Sequence, residues 1–356
     1  MTAEPFEDHD DHHGGPVAPA PGGGDVPDDG GTDEGIAEPT AGMVLHRVLA
    51  LAARTFLLND SDRSGDGRHP DDSAQTLSAS LGTRPLWAQS ADESLRGSER
   101  RTDPLDQVHQ SRVAMRRVRS NLRTYRLLLD PGWGTALRAE LAWYGNELGR
   151  SRDLDLLAGV VAGRGPEVLE PDEVARLLAV VDWHRTQVGS EIDVDRAGPR
   201  RAALTAQMMV LWDGPAFKPK AGRPAAGVLS PMLHRAWHDL RGVARKARKD
   251  PTDVHLHQLR IRLKDLRYGS ETLALVEGDP ARKTARAAER MQSKLGDLHD
   301  TVFSIGWLES LATGQPDLAD AAQRLVTVQR AAATEARKGW KRDLKDVERR
   351  WRRWQG

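Results

Sequence analysis

The sequence predicts an all-α fold, and three observations predict it. Apolar residues recur at helical spacing over most of the chain beyond Thr40. Gly and Pro breaks separate these stretches, with no strand-like alternation of useful length between them. The second half of the chain also repeats motifs of the first in the same order.

Residues 1–40 carry eleven acidic side chains, no Lys or Arg, and Phe6 as their one aromatic. Such a segment cannot bury enough apolar surface to offset its ordering entropy, so it reads as a disordered acidic tail. His9, His12 and His13, beside Asp10 and Asp11, belong to that tail, and no metal site is read from them. A first helix follows, with Val44, Leu45, Val48, Leu49, Leu51 and Leu58, and ends near Asn59 and Asp60. Residues 59–103 are polar, with scattered Gly, Pro and Ser, and read as an irregular insertion pinned to the body by Leu86 and Trp87. Long helical patterns fill 104–190, broken near Pro131-Gly132 and again over Gly163–Pro171. Residues 191–226 contain Pro199, Pro215, Pro219 and Pro224 and read as a linker. Helices resume at about Leu229, with breaks near Asp250-Pro251, Gly278–Pro280 and Gly314–Pro316. About four helices thus fall in each half, 41–190 and 227–356.

The repeat is specific. Val108-His109-Gln110-Ser111-Arg112-Val113 matches Leu256-His257-Gln258-Leu259-Arg260-Ile261 at an offset of 148. Arg116 then lies over Lys264, and Arg119 over Arg267. Leu148-Gly149-Arg150-Ser151-Arg152-Asp153 lies over Leu295-Gly296-Asp297-Leu298-His299-Asp300 at an offset of 147.

Composition narrows the function classes. The absence of cysteine excludes disulfides, zinc-thiolate sites and cysteine nucleophiles. No run of eighteen apolar residues and no secretory signal are visible, so no membrane partner is expected, and a cytoplasmic location is. The formal net charge of zero hides an asymmetry. Beyond residue 40 the other 41 acidic residues face all 52 basic ones, an excess of eleven positive charges. A basic body points to an anionic partner.

The chemistry concentrates on two helices. His109, Arg112, Arg116, Arg119, Arg123 and Arg126 step by 3 and 4, which places all six on one helical stripe. Val108, Met115, Val118, Leu122, Tyr125 and Leu129 form an apolar stripe one residue earlier, about 100° away. Like charges three or four residues apart repel, and no acidic residue interrupts this stripe, so an anion is expected to neutralise it. His257, Arg260, Lys264 and Arg267 repeat the pattern beside Leu256, Leu259, Leu263 and Leu266, until Glu271 replaces the equivalent of Arg123. Guanidinium forks suit phosphate oxygens, and histidines at their ordinary value would add charge below about pH 6.5. Two further basic stripes occur, His234-His238-Arg241-Arg245-Arg248 and Lys338-Arg342-Lys345-Arg349-Arg352, and the helix of the second, with Trp340, Leu344, Val347, Trp351 and Trp354 as its apolar stripe, reads as structural with peripheral phosphate contact.

VHQSRVAMRRVRSNLRTY at 108–125 and LHQLRIRLKDLRY at 256–268, with ELGRSRDLDLL at 147–157 and KLGDLHDTV at 294–302, resemble the CHAD domains, the conserved histidine α-helical domain family. The resemblance covers roughly residues 41–356. It implies two four-helix bundles related by a pseudo-twofold repeat, with a basic channel between them that binds inorganic polyphosphate. Carried over position by position, the binding residues are His109, Arg112, Arg116, Arg119, His257, Arg260, Lys264 and Arg267, with Arg123, Arg126 and Arg152 as additions. Polyphosphate granules follow as an expected association. The insertion at 59–103 departs from the family pattern. The E-x-E-x-K strand of the CYTH triphosphatases that often accompany these domains is absent, so no hydrolase activity is carried over.

Three alternatives compete with a non-catalytic polyphosphate binder that needs no cofactor. A basic helix pair also attracts nucleic-acid phosphates, although four Phe and three Tyr offer little surface for stacking bases. A phosphoanhydride hydrolase needs a P-loop or carboxylate-held metal, and no G-x-x-x-x-G-K-[ST] occurs. A helical scaffold for a protein partner is the third.

Overall fold

The computed structural model describes residues 38–60 and 104–355, and the readings for the acidic tail up to residue 37 and for the insertion from residue 61 to 103 lie outside them. Ten α-helices occur among the described residues: α1 (Ala41–Asn59), α2 (Pro104–Thr124), α3 (Pro131–Arg164), α4 (Pro171–Ala197), α5 (Pro199–Asp213), α6 (Ala225–Lys249), α7 (Asp253–Glu277), α8 (Asp279–Gly314), α9 (Ala319–Ala336) and α10 (Trp340–Gln355). The all-α expectation holds.

Local chemistry sets the ends. The Thr40 hydroxyl accepts from the Met43 N–H at 3.3 Å, the Asp130 carboxylate from Trp133 at 2.8 Å, and the Thr252 hydroxyl from His255 at 3.3 Å. Each satisfies an amide that the first helical turn leaves without a partner. Glu170 and Glu173 form a reciprocal capping box at the start of α4.

The structure corrects three readings. Residues 191–226 are not a linker: α4 runs to Ala197 and α5 occupies Pro199–Asp213. Proline lacks an N–H but is tolerated in the first helical turn, so Pro199 starts a helix instead of breaking one. Leu204, Met208 and Leu211 bury one face of α5, which packs on α1. Second, a break at Gly339, with φ of 82°, separates α9 from α10, so Lys338 stands outside the helix that carries Arg342. Among the described residues each half therefore supplies five helices, with α5 counted in the first, where four were expected. Third, α2 stops at Thr124, and Arg126 sits in a 3₁₀ turn (Arg126–Leu128).

In the first half α1 packs on α2, α2 on α3, and α3 on α4. In the second half α6 packs on α7, α7 on α8, and α8 on α9. The apolar stripes of α2 and α7 become core, with Met115, Val118, Leu122, Leu256, Leu259, Leu263 and Leu266 no more than 2% exposed. One hydrophobic cluster contains residues of both halves. α1 alone among the described helices is long and apolar enough to cross a membrane, yet residues such as Leu45, Leu49 and Phe56 are fully buried in this core.

α2 and α7, the helices that carry the matched motifs, also pack on each other. Their contacts are reciprocal. Arg117 pairs with Glu271 at 2.8 Å, and Arg123 with Asp265 at 3.0 Å. At the repeat offset of 148, Arg117 corresponds to Asp265 and Arg123 to Glu271. Both ion pairs thus join the same two motif positions, with the basic partner always on α2. Ser120 donates to Asp265 at 2.9 Å, and Tyr125 to the Gly269 carbonyl at 3.0 Å. A Cβ at Gly269 would lie 2.5 Å from Leu233 Cδ1 of α6, so the glycine permits the close approach of α6 to α7.

Candidate functional site

The α2–α7 packing places side chains from both halves around one cleft of about 700 Å³. α2 supplies His109, Arg112 and Arg116, α7 supplies Arg260 and Lys264, and α3 supplies Arg152. α8 adds Gln292, His299 and Asp300. Six residues selected from sequence therefore share this cleft.

Six Arg and Lys side chains line it against four Asp, namely Asp106, Asp153, Asp155 and Asp300, so its cations are only partly compensated. Among the described residues, His109, Arg116, Arg119, Arg260 and Lys264 make no ion pair or side-chain hydrogen bond, and Arg260 Nε is buried without a partner. Burial, then the neighbouring Arg116, holds the Arg112 guanidinium down to about 10. Burial, followed by Arg260, Arg116 and Arg119, pushes the Lys264 amine down to about 7. Burial likewise lowers His109, Arg119 and Arg260, and neighbouring arginines reinforce each shift. Desolvation and like-charge repulsion both disfavour the charged forms, and a bound anion would relieve the second.

Two matched glycines shape the walls. A Cβ at Gly149 would lie 3.6 Å from Arg112 Nη2, and one at Gly296 would lie 3.5 Å from Arg260 Nε. Each guanidinium rests against bare backbone on the next helix. Arg112 also donates from Nη1 to the Leu148 carbonyl at 3.1 Å.

Arg152 is held differently. Its two terminal nitrogens donate to both oxygens of Asp300 in the other half, the first at 2.7 Å. The Asp300 hydrogen bonds outweigh burial and raise its basicity. This clamp ties α3 to α8 at the cleft and leaves Arg152 largely neutralised.

The remaining sequence-selected residues lie elsewhere or are engaged. Arg123 and Arg126 line a separate cleft of about 390 Å³ with Arg235, His238 and Arg262. The Arg123 pairing with Asp265 explains why an unbroken basic stripe was misleading: its neutraliser sits on the facing helix. Arg119 does not line this cleft, and the charges of Arg123 and Arg138, then Arg116, repel its own. Arg267 is taken up by Glu271 at 2.9 Å and Glu289 at 2.6 Å, over the Tyr268 ring. His257 packs against His299, ring centroids 4.5 Å apart, with its Nδ1 buried and unpartnered. Burial, then His299, Arg260 and Lys264, holds it down to about 4. A histidine titration near 6.5 is therefore not expected from either motif histidine in the free protein.

Gln292, His299 and Asp300 were missed as lining residues. The repeat was the available signal, since His299 and Asp300 occupy the positions of Arg152 and Asp153, and Gln292 that of Gly145, which also lines the cleft. Among the described residues no group of three or more His, Asp or Glu is placed to hold a metal ion.

The fold has solved counterparts. PptA from Streptomyces chartreusis aligns with a TM-score of 0.60 at 20% identity, covering 86% of this chain and 99% of that one. The CHAD domain from the plant Ricinus communis aligns with a TM-score of 0.61 at 20% identity, covering 88% of this chain and 93% of that one. No curated protein matches the sequence. The family model described as CHAD domain matches residues 87–309, more than half of the chain and including every cleft residue named above. The chain belongs to the CHAD domain family.

Proposed function

We propose that the chain binds inorganic polyphosphate, without catalysis, in the cleft between α2, α3, α7 and α8. One observation carries this reading: His109, Arg112, Arg116, Arg260 and Lys264, drawn from both halves, line one cleft in which Arg and Lys side chains outnumber Asp by six to four, and Arg116, Arg260 and Lys264 make no ion pair. Guanidinium groups with free N–H donors suit the repeated oxygens of a phosphate chain, and the cleft spans several such groups. Polyphosphate is also the ligand that the family resemblance implies.

Chain length and salt provide the test. Affinity is expected to rise from orthophosphate to long chains, because only a chain reaches both α2 and α7. Log K is expected to fall with log salt by about 0.7 per neutralised phosphate, on the analogy of single strands. Titrations with polyphosphates of defined length, against a nucleic-acid control at equal phosphate concentration, read both effects. Equal affinity for orthophosphate and long chains contradicts the reading, and stronger binding of nucleic acid would replace it.

Binding is also expected to be pH-dependent through Lys264. Its amine, held down to about 7, is largely neutral above that pH and charged below it. A polyanion favours the charged form, so affinity rises as pH falls from 9 through 7, with proton uptake. Calorimetry in buffers of different ionisation enthalpy measures that uptake. Lys264→Arg, which keeps the charge at all these pH values, is expected to abolish the dependence.

A further inference from the structure

The chain has ten lysines, and Lys264 alone among them is not exposed. The other nine lie on the surface, where water stabilises their charge. Lys264 is half-buried in the cleft and has no ion-pair partner. The groups around it are mostly cationic. Arg260 lies one turn before it on α7, Arg116 of α2 lines the same cleft, and the charge of Arg119 on α2 also acts on it. α8 contributes His299 to the same cleft, and α3 contributes Arg152. Of the carboxylates in and beside the cleft, Asp265 pairs with Arg123 at 3.0 Å, Asp300 with Arg152 at 2.7 Å, Asp153 with Arg152 at 3.4 Å and Asp155 with Arg185, which leaves Asp106, whose charge acts on His109. The first half carries Arg116 at the equivalent position, so the repeat has placed a nucleophilic nitrogen on one wall only.

An amine surrounded by guanidinium groups is a setting for more than anion binding. Desolvation and neighbouring cations activate a lysine as a nucleophile. The same cations would concentrate a reagent that carries phosphate.

We propose that Lys264 is a covalent modification site, acylated by acyl phosphates whose phosphate group docks on Arg116 and Arg260. The Lys264 Nζ lone pair attacks the acyl carbonyl carbon. The bond from that carbon to the phosphate oxygen breaks, and its electron pair leaves with phosphate. The nitrogen gives one proton to the departing phosphate, leaving an amide and inorganic phosphate. An amine held down to about 7 supplies the free lone pair at neutral pH that exposed lysines lack. Acylation removes one cation from the cleft and weakens polyanion binding, while a bound polyanion charges the amine and protects it. This regulatory consequence rests on the polyphosphate reading, whereas the reaction needs only the reagent's own phosphate.

The full chain is treated with acetyl phosphate at pH 7, and occupancy at each lysine is read by mass spectrometry. Lys264 is expected to be acetylated at least about tenfold faster than the mean of the exposed lysines, because its neutral fraction is far larger. An acetylating reagent without phosphate is expected to show a smaller preference, and Arg116→Ala to reduce the acetyl phosphate preference. Lys264→Arg removes the acetylation site, and the polyphosphate affinity of the untreated parent chain, titrated separately at pH 7, reports the binding reading alone. Uniform acetylation across the lysines in a protein that binds polyphosphate overturns the proposal and leaves the binding reading intact. Selective acetylation in a protein that binds no polyphosphate supports the site and overturns the binding reading.

Discussion

Arg112→Ala combined with Arg116→Ala is expected to lower polyphosphate affinity by at least about 100-fold while the protein stays folded. Each charge-assisted hydrogen bond contributes roughly 1.5–3 kcal/mol, so losing two is enough for that factor. Stability responds differently. Neither side chain belongs to the hydrophobic core, and Arg116 makes no ion pair or side-chain hydrogen bond to lose. Arg112 loses one bond to the Leu148 carbonyl, a net cost of about 1 kcal/mol, offset by relief of its repulsion with Arg116. Denaturant midpoints measured beside the titrations are therefore expected to stay close to the parent. A parallel collapse of stability would mean that the two arginines hold the fold and that the lost affinity follows from unfolding.

Asp265→Ala is expected to show the opposite signature, a loss of about 3–5 kcal/mol of stability. This carboxylate is only 4% exposed. It accepts from Ser120 at 2.9 Å and Arg123 at 3.0 Å on α2, and from Arg262 at 3.4 Å on its own helix. Removing it leaves Arg123 uncompensated close to Arg119 and Arg138, whose basicity its charge already lowers. Arg123→Ala in the same background is expected to recover part of the loss, because no unpaired cation remains. Urea unfolding of the parent, the two single variants and the double variant measures the coupling. Independent effects would place the charge balance between the halves outside these two residues.

Local signals made most of the fold legible. The break predicted at Asp250-Pro251 falls between α6 and α7, and that at Gly278–Pro280 between α7 and α8. The linker failed because four prolines outweighed the short apolar face of Leu204, Met208 and Leu211, and two of them, Pro199 and Pro219, sit where helical turns begin. For the site, His109, Arg112 and Arg116, which the step of 3 and 4 groups on one stripe, line the same cleft. It could not show that Arg123 meets Asp265, since that neutralisation lies 142 residues away in sequence. Nor could it distinguish His109, which lines the cleft, from His257, which packs against His299. Glu271, which reads in sequence as the end of a basic run, is in three dimensions the partner of Arg117.

The central claim is that two halves build one site, and the affinity of Arg260→Ala combined with Lys264→Ala tests it most directly. Long-chain polyphosphate is titrated against the parent, this double variant, the Arg112/Arg116 variant and the quadruple variant, each confirmed folded by circular dichroism. The shared cleft predicts that the α7 double variant loses at least about tenfold in affinity and that the quadruple loss falls short of the summed losses. Full affinity after loss of Arg260 and Lys264 would contradict it and confine binding to the α2 side of the cleft.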